Sequence, residues 1–444
     1  SGWLNYTIPY CQWYGVTCNS NEHITEINLR NNNIAGKGVW IWSAFESSQL
    51  TKLDLAGNKF SGELKRGLAS SFRNLVHIDL SNNDFDGCAD MTFSSGTLYA
   101  NYSNNKFTCA SFKRYNPAYE ALQVVDLSNN QINQDLSDLF RNIPPSLEHL
   151  ILSDNRIRGS FPSPFPHLAN IQRINVANNN INGTLPDFSR ATPRLKELYL
   201  SNQRQTENGG LVGTISPDFS NLDNLLVLNA ANNNLTSFPS DLGILRKLQV
   251  LDLSSNLFSH SIPPELGNLA GALEILNLSN NNLRSSIPES FADFLDTSNA
   301  SIHLSRNSNL SYPAPLMLCF MPGFDLADDE MNMCPSERNA LKLFYDSSKG
   351  QEWTNAGSWL DPYKDHCAWH GVRCNKSNTS IIELKLANNG LSGTISKNIS
   401  GLNSLKFLDL SDNDIKGPIP SELGHLTQLV HLRLSFNELT GEMP

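Results

Sequence analysis

One eleven-residue pattern returns along most of this chain. LTKLDLAGNKF, LVHIDLSNNDF, LQVVDLSNNQI, LEHLILSDNRI, LQVLDLSSNLF and LEILNLSNNNL are all versions of LxxLxLxxNxL. The Asn of the pattern falls at Asn32, Asn58, Asn83, Asn105, Asn130, Asn155, Asn179, Asn233, Asn256, Asn281 and Asn307, with Gln203 standing in its place once. Three more copies follow, marked by Asn389, Asn413 and Asn437. The steps are 22 to 26 residues, except where QRQTENGG at 203–210 interrupts the rhythm. The LxL core reads as a short strand whose leucines face inward and whose intervening residues face out. One such unit cannot bury its apolar side alone, so neighbours must stack into a solenoid with a continuous core.

The Asn carries both a donor and an acceptor, which suits it to backbone groups where the chain leaves each strand. Charge excludes some roles. Lys plus Arg number 33 against 43 Asp plus Glu, a net charge of −10, with only 17% charged residues. A nucleic-acid binder needs a clustered basic surface, so that class is set aside. No run of 18 apolar residues exists to span a membrane.

Several repeats continue into GxIP-like tails: IRGSFP, INGTLP, SHSIP, RSSIP, IKGPIP and TGEMP. These tails resemble the plant-type leucine-rich repeat, in which the tail adds a second strand beside the first. The resemblance implies an α/β repeat fold: a curved leucine-rich-repeat solenoid in two consecutive arrays, each with a disulfide-bonded N-terminal cap. The family includes receptor-kinase ectodomains and secreted inhibitors of cell-wall-degrading enzymes. The second cap region, ALKLFYDSSKGQEWTNAGSWLDPYKDHCAWHGVRC, is most similar to caps of secreted algal and diatom repeat proteins.

Two short motifs mark where the arrays begin. CQWYGVTC at 11–18 returns as CAWHGVRC at 367–374, each with Trp-Leu eight residues ahead (Trp3-Leu4 and Trp359-Leu360). A solenoid exposes core at its ends, so these read as lids. The caps imply the pairs Cys11–Cys18, Cys319–Cys334 and Cys367–Cys374. Cys88 and Cys109 lie at matching places in adjacent repeats, about 5 Å apart if stacked, and are expected to pair. Zinc on His366, His370, Cys367 and Cys374 is the minor alternative. An even cysteine set points to an oxidising compartment. The expected organisation is an incomplete cap at 1–23, an array of twelve repeats at 24–312, and a C-terminal cap at 313–335. A second cap at 336–380, opened by Ser336 as helix N-cap, precedes a three-repeat array at 381–444, and the two arrays are expected to abut. The second array stops inside a repeat tail, which raises the expectation of a longer chain or of an end covered by another molecule.

N-x-S/T sequons occur at Asn5, Asn101, Asn182, Asn234, Asn277, Asn299, Asn309, Asn375, Asn378 and Asn398, and N-linked glycans are expected. Asn101 and Asn277 fall at outward strand positions, where a sugar would obstruct the face. NNDFDG at 82–87 looks like a calcium loop, but Phe93 occupies the place of the bidentate Glu; a repeat turn is the better reading. Asp54, Asp79, Asp126 and Asp252 form either a binding stripe or, more simply, a solvated face. His77 and His149 lie outward on it, as ordinary surface residues or pH sensors. Val227, Val250 and Ile275 line up in three consecutive repeats and, with Asp252 beside them, make the preferred contact surface. The QRQTENGG segment is either a tolerated insertion, the preferred reading, or a contact loop.

No catalytic motif, metal site or cofactor motif is present. The reading is a non-enzymatic, secreted or surface glycoprotein that recognises an extracellular protein or polysaccharide. The alternative is a structural subunit of a matrix or filament, self-associating end to end.

Overall fold

The computed structural model describes residues 7–37, 49–64, 71–112, 121–203, 209–294, 300–310, 324–325, 336–361, 364–376 and 380–441. The chain divides into two compact units: Ser1–Leu283 with Ala300–Asn307, and Arg284–Asn299 with Ser308–Pro444. The division therefore runs through the last repeats of the first array, ahead of the expected boundary at 312. Cys319 and Cys334, the expected C-terminal cap pair, lie outside the described residues.

In the first unit, the LxL segments form one parallel sheet. Its register runs without slippage from Ile24–Asn28 through Lys52–Asp54 and His77–Asp79 to Ile275–Asn277 and Ser301–His303. The middle residue of each strand points inward. Leu53, Ile78, Ala100, Val125, Leu150, Ile174, Leu198, Leu228, Leu251, Leu276 and Ile302 are all 0–1% exposed. Each buried Leu or Ile stabilises the stack by about 1.5–3 kcal/mol. Ala100 is the small member of the row. The next core position holds Tyr102, which packs on the Phe93 and Phe107 rings at centroid distances of 6.4 and 6.0 Å.

The Asn row clasps neighbouring repeats. Asn179 is fully buried, and its Nδ2 donates to the carbonyls of Leu152, Val176 and Ala177 at 3.0–3.1 Å. Its Oδ1 accepts the Ile157 N–H at 2.9 Å. Groups that two stacked backbones leave unpaired are thus satisfied by one side chain. Gln203 does the same work: Nε2 donates to Val176, Leu200 and Ser201 carbonyls while Oε1 accepts from Ile181. Asn32 departs from the row. It is exposed, and its side-chain amide donates to the Arg30 carbonyl two residues back, because no repeat precedes it to be clasped. The residue ahead of the ladder position turns left-handed, as at Asn82, Asn129 and Asn178, a conformation Asn tolerates.

Behind this sheet, the repeat tails pair as second strands: Asn180–Thr184 with Gly210–Thr214, and Gly210–Thr214 in turn with Asn234–Ser237. Cys88–Asp90 pairs in parallel with Cys109–Ser111, and Cys88 is joined to Cys109 across the two repeats with a Cα separation of 4.6 Å. On the helical turns and loops that connect the strands, Phe140, Phe161, Phe165, Phe188 and Phe219 form a chain of ring contacts at 5.1–6.0 Å. At the start, Cys11 is bonded to Cys18, and Val16–Cys18 runs antiparallel to Ile24–Asn28. Gly15 leads into the hairpin at φ +77°, its carbonyl accepting the Asn28 N–H; a Cβ there would meet the Asn28 carbonyl oxygen at 2.1 Å.

Within the second unit, the cap region holds a helix at Ser336–Ser347, starting on Ser336 itself rather than one residue after it. Ala340, Leu341 and Phe344 share one helical face and are buried. Arg338 is also buried. Its guanidinium donates to the Lys364 and Asp361 carbonyls and lies 4.8 Å from the centre of the Trp369 ring. The Glu337 carboxylate accepts the Ile381 N–H at 2.8 Å, tying the helix to the first strand of the array. Trp353, Trp359 and Trp369 close over the core. The hairpin Val372–Cys374 repeats the first cap's antiparallel pairing, with Cys367 bonded to Cys374 and Gly371 at φ +79°. Strands Ile381–Lys385, Phe407–Asp409 and His431–Arg433 follow in parallel. Asn389 is buried here because the cap supplies its partners: it exchanges hydrogen bonds with the Asn355 N–H and carbonyl.

Candidate recognition surface

Two outward rows line the strand face of the first unit. The first residue of each strand gives the sequence Lys52, His77, Tyr99, Val124, His149, Arg173, Glu197, Val227, Val250, Ile275 and Ser301. The third residue gives Asp54, Asp79, Asn101, Asp126, Ile151, Asn175, Tyr199, Asn229, Asp252, Asn277 and His303. Unlike the buried rows, these change character from repeat to repeat.

Of the acidic members of the second row, Asp54 and Asp79 are buried rather than solvated, while Asp126 and Asp252 are half-buried. Asp54 and Asp79 are 4% and 3% exposed. Each accepts the N–H two residues on (Ala56 and Ser81), and Arg30 pairs with both. Asp126 and Asp252 likewise cap their own turns through the Ser128 and Ser254 amides and hydroxyls. The physical reason is the Asx turn: a carboxylate at the strand end satisfies the amide that the turn leaves open.

His77 is no ordinary surface residue either. Its ring stacks on Tyr99 at 4.4 Å with an interplanar angle of 5°. Burial, opposed in part by Asp79, lowers its pKa from the usual histidine value. His149 is half-buried between Val124 and Arg173. At mid-array, Arg173 pairs with Glu197 at 3.2 Å and lies 5.0 Å from the centre of the Tyr199 ring. Tyr199 in turn donates to Glu197.

The expected apolar column is present as a register line: Val227 opposite Val250, and Val250 opposite Ile275. Val227 and Val250 are half-buried and Ile275 is 39% exposed. Asp252 stands beside them but is committed to its turn. A second exposed apolar group went unnoticed in the sequence: Val76 at 37% and Leu98 at 36%, next to the His77–Tyr99 stack. Aligning the repeats in register would have exposed it.

Other candidates resolve as follows. In NNDFDG, Asn83 is a buried ladder residue, Phe85 is core, and Asp84 pairs with Lys106, so the segment is a repeat turn. His366, Cys367 and Cys374 bring ligand atoms within 4.8 Å of one another. The two sulfurs are joined to each other, however, and His370 turns its Nδ1 to Asn355, so the set does not fit zinc. Residues 204–208 of the insertion lie outside the described residues, as do the sequons at Asn5, Asn299 and Asn378. Asn182 and Asn234 lie on second-layer strands, and Asn234 donates to the Gly209 carbonyl. Asn309 and Asn398 are exposed and Asn375 is half-buried. Asn101 and Asn277 sit on the outward face, each accepting the N–H two residues on.

Comparison with known families fits this geometry. Profiles described as "Leucine rich repeat" match residues 145–204 and 379–439, and further leucine-rich-repeat profiles match 49–71, 121–143, 247–269 and 272–294. "Leucine rich repeat N-terminal domain" matches 1–19 and 334–375, the two cap regions. The chain is a leucine-rich-repeat solenoid. Its similar curated relatives include "Receptor-like protein kinase BRI1-like 3" of Arabidopsis thaliana, 30% identical over 288 residues, covering 63% of this chain and 22% of the relative. "Receptor-like protein 32" of the same plant is 28% identical over 239 residues, covering 52% and 26%. The solenoid thus spans about a quarter of the length of these relatives. Among solved structures, that of a TDR receptor superposes with a TM-score of 0.52 at 24% identity, over 93% of this chain and 59% of that one. A PEPR1–AtPEP1 structure gives 0.50 at 23%, over 97% and 61%. These two likenesses support the solenoid fold. Among the described residues, no helix is long and apolar enough to cross a membrane.

Proposed function

We propose that this solenoid works outside the cell as a non-enzymatic recognition scaffold, binding an extended polypeptide along the outward strand face of its first unit. The observation that carries the reading is the break in composition along one register row. Val227, Val250 and Ile275 are apolar at outward positions in three consecutive repeats, the first two half-buried and Ile275 exposed. They follow directly on the Arg173–Glu197–Tyr199 cluster, which offers charge and an aromatic ring to orient a chain. An apolar anchor beside a few placed polar groups is the usual composition of a recognition surface. The extracellular setting is supported by the disulfides, by the sequons and by the receptor-like relatives.

A displayed random-peptide library selected on the wild-type chain tests this. Peptides that bind should lose at least about tenfold in affinity on Val250→Asp/Ile275→Asp, since an anchor of this size is worth roughly 1–3 kcal/mol. Selected peptides that bind the double variant as well as wild type would place recognition elsewhere.

A further inference from the structure

Alternate strands at the apolar column carry the same polar group. Arg173–Asn175, Val227–Asn229 and Ile275–Asn277 each end on an asparagine, and the strands between them, Glu197–Tyr199 and Val250–Asp252, do not. The three asparagines are half-buried and share one bonding pattern. Each Oδ1 accepts the N–H two residues on, from Ala177, Ala231 and Ser279 at 3.1, 3.1 and 3.2 Å. That bond commits the oxygen to the turn and leaves each Nδ2 with no partner among the described residues. The intervening strands offer no such donor: Tyr199 donates to Glu197, and Asp252 accepts from Ser254. Open amide donors therefore recur every second repeat. Val227 and Ile275 stand on the same strands as two of them, with Val250 between.

This period selects a backbone. Hydrogen-bonded strands lie about 4.8 Å apart, so every second strand is about 9.6 Å away. A polypeptide lying across them must present a side chain and a free carbonyl at that interval. One turn of polyproline II, three residues of about 3.1 Å, advances about 9.3 Å, and its carbonyls have no internal partners. A β-strand returns to the same face about every 6.7 Å and falls out of step. An α-helix has a pitch of about 5.4 Å, and its carbonyls are already bonded. We infer that the polypeptide bound here is a proline-rich segment in the polyproline II conformation. Its apolar residues at i and i+3 rest on Val227 and Ile275, and its carbonyls accept from Asn175, Asn229 and Asn277. Val250 lies beneath the turn that joins the two anchors. Asn277 is also a sequon, and this role requires its amide to be bare.

The inference rests on the recognition reading above, and the experiment separates the two. Peptides selected from the displayed random library on the full wild-type chain are sequenced, and the tightest is resynthesised. Apolar residues should recur at a spacing of three, with proline enriched between them. Inserting one residue between two apolar positions should weaken binding about tenfold, the scale of one lost anchor. Asn175→Asp/Asn229→Asp keeps an acceptor for each turn, as Asp126 and Asp252 provide in theirs, and removes the donors. It should leave the urea midpoint unchanged and lower affinity about tenfold, the scale of two hydrogen bonds. Apolar residues at alternate positions in the selected peptides overturn this inference and leave recognition at the column standing, as does full affinity for the Asn variant. Sugar on Asn277 of the secreted chain overturns it too. Selected peptides indifferent to Val250→Asp/Ile275→Asp overturn both readings.

Discussion

The buried Asn row and the outward strand rows of the first unit have the same spacing and opposite variability. Along the ladder, Asn58, Asn83, Asn105, Asn130, Asn155 and Asn179 each make the same set of bonds, and Gln203 stretches to reproduce them. Along the outward row, lysine gives way to a stacked ring pair, then to a salt-bridged Arg173, then to an apolar column. A position whose partners are backbone groups admits one solution, because those groups are identical in every repeat. In the first outward row no backbone partner holds the side chain to one residue type, whereas the Asp and Asn of the second row still cap their own turns. In a stacked-repeat protein, the stability is therefore held in the uniform rows, and recognition is to be sought where uniformity breaks.

The sharpest break of this comparison is Asn179→Leu. It removes the donor to three carbonyls and the acceptor for the Ile157 N–H in a fully buried place. A loss of about 2–3 kcal/mol is expected, read as a lower urea midpoint by circular dichroism. Because each repeat touches only its neighbours, the transition should also broaden or split. A shift below about 0.5 kcal/mol would mean the ladder is decoration. Gln203→Asn comes next. The backbone there is set for a side chain one methylene longer, so the substitution should cost about 1 kcal/mol despite restoring the common residue. An increase in stability would show that Gln203 is a tolerated defect.

Outward substitutions should hardly move stability. Val250→Asp is expected within about 0.5 kcal/mol of wild type, since its half-buried side chain faces outward and its removal leaves no cavity. A large loss would put the strand out of the register described. The smallest effect concerns pH. Burial holds the His77 pKa below its unfolded value, so the unfolded chain binds the proton more readily. Stability from this site is complete above the unfolded histidine value, near about 6.5, and declines as pH falls through it. His77→Gln should flatten the stability profile between about pH 7 and 5.

Most of the fold was readable because its signal repeats: the leucines set the strand register, and the Asn set the turn. The cap hairpins were readable from two octapeptides, each with a glycine in a place no Cβ could enter. The site was readable only in part. Val227, Val250 and Ile275 announced themselves by being apolar at an outward position. The burial of Asp54 and Asp79 is not legible in their own repeats, because the residue that pairs with them, Arg30, sits in a different repeat. The Asp-Leu-Ser triplets at 79–81, 126–128 and 252–254 did carry the signal for a turn cap. The His77–Tyr99 stack joins residues 22 positions apart and becomes visible only once the register is known.

The central claim, that the outward rows recognise while the buried rows hold the fold, is tested most directly by measuring binding and stability on the same double variant. Val250→Asp/Ile275→Asp should keep the urea midpoint of wild type and lose at least about tenfold in affinity for a peptide selected on the wild-type chain. Unchanged affinity, or a collapse of stability in step with the loss of binding, would contradict the account.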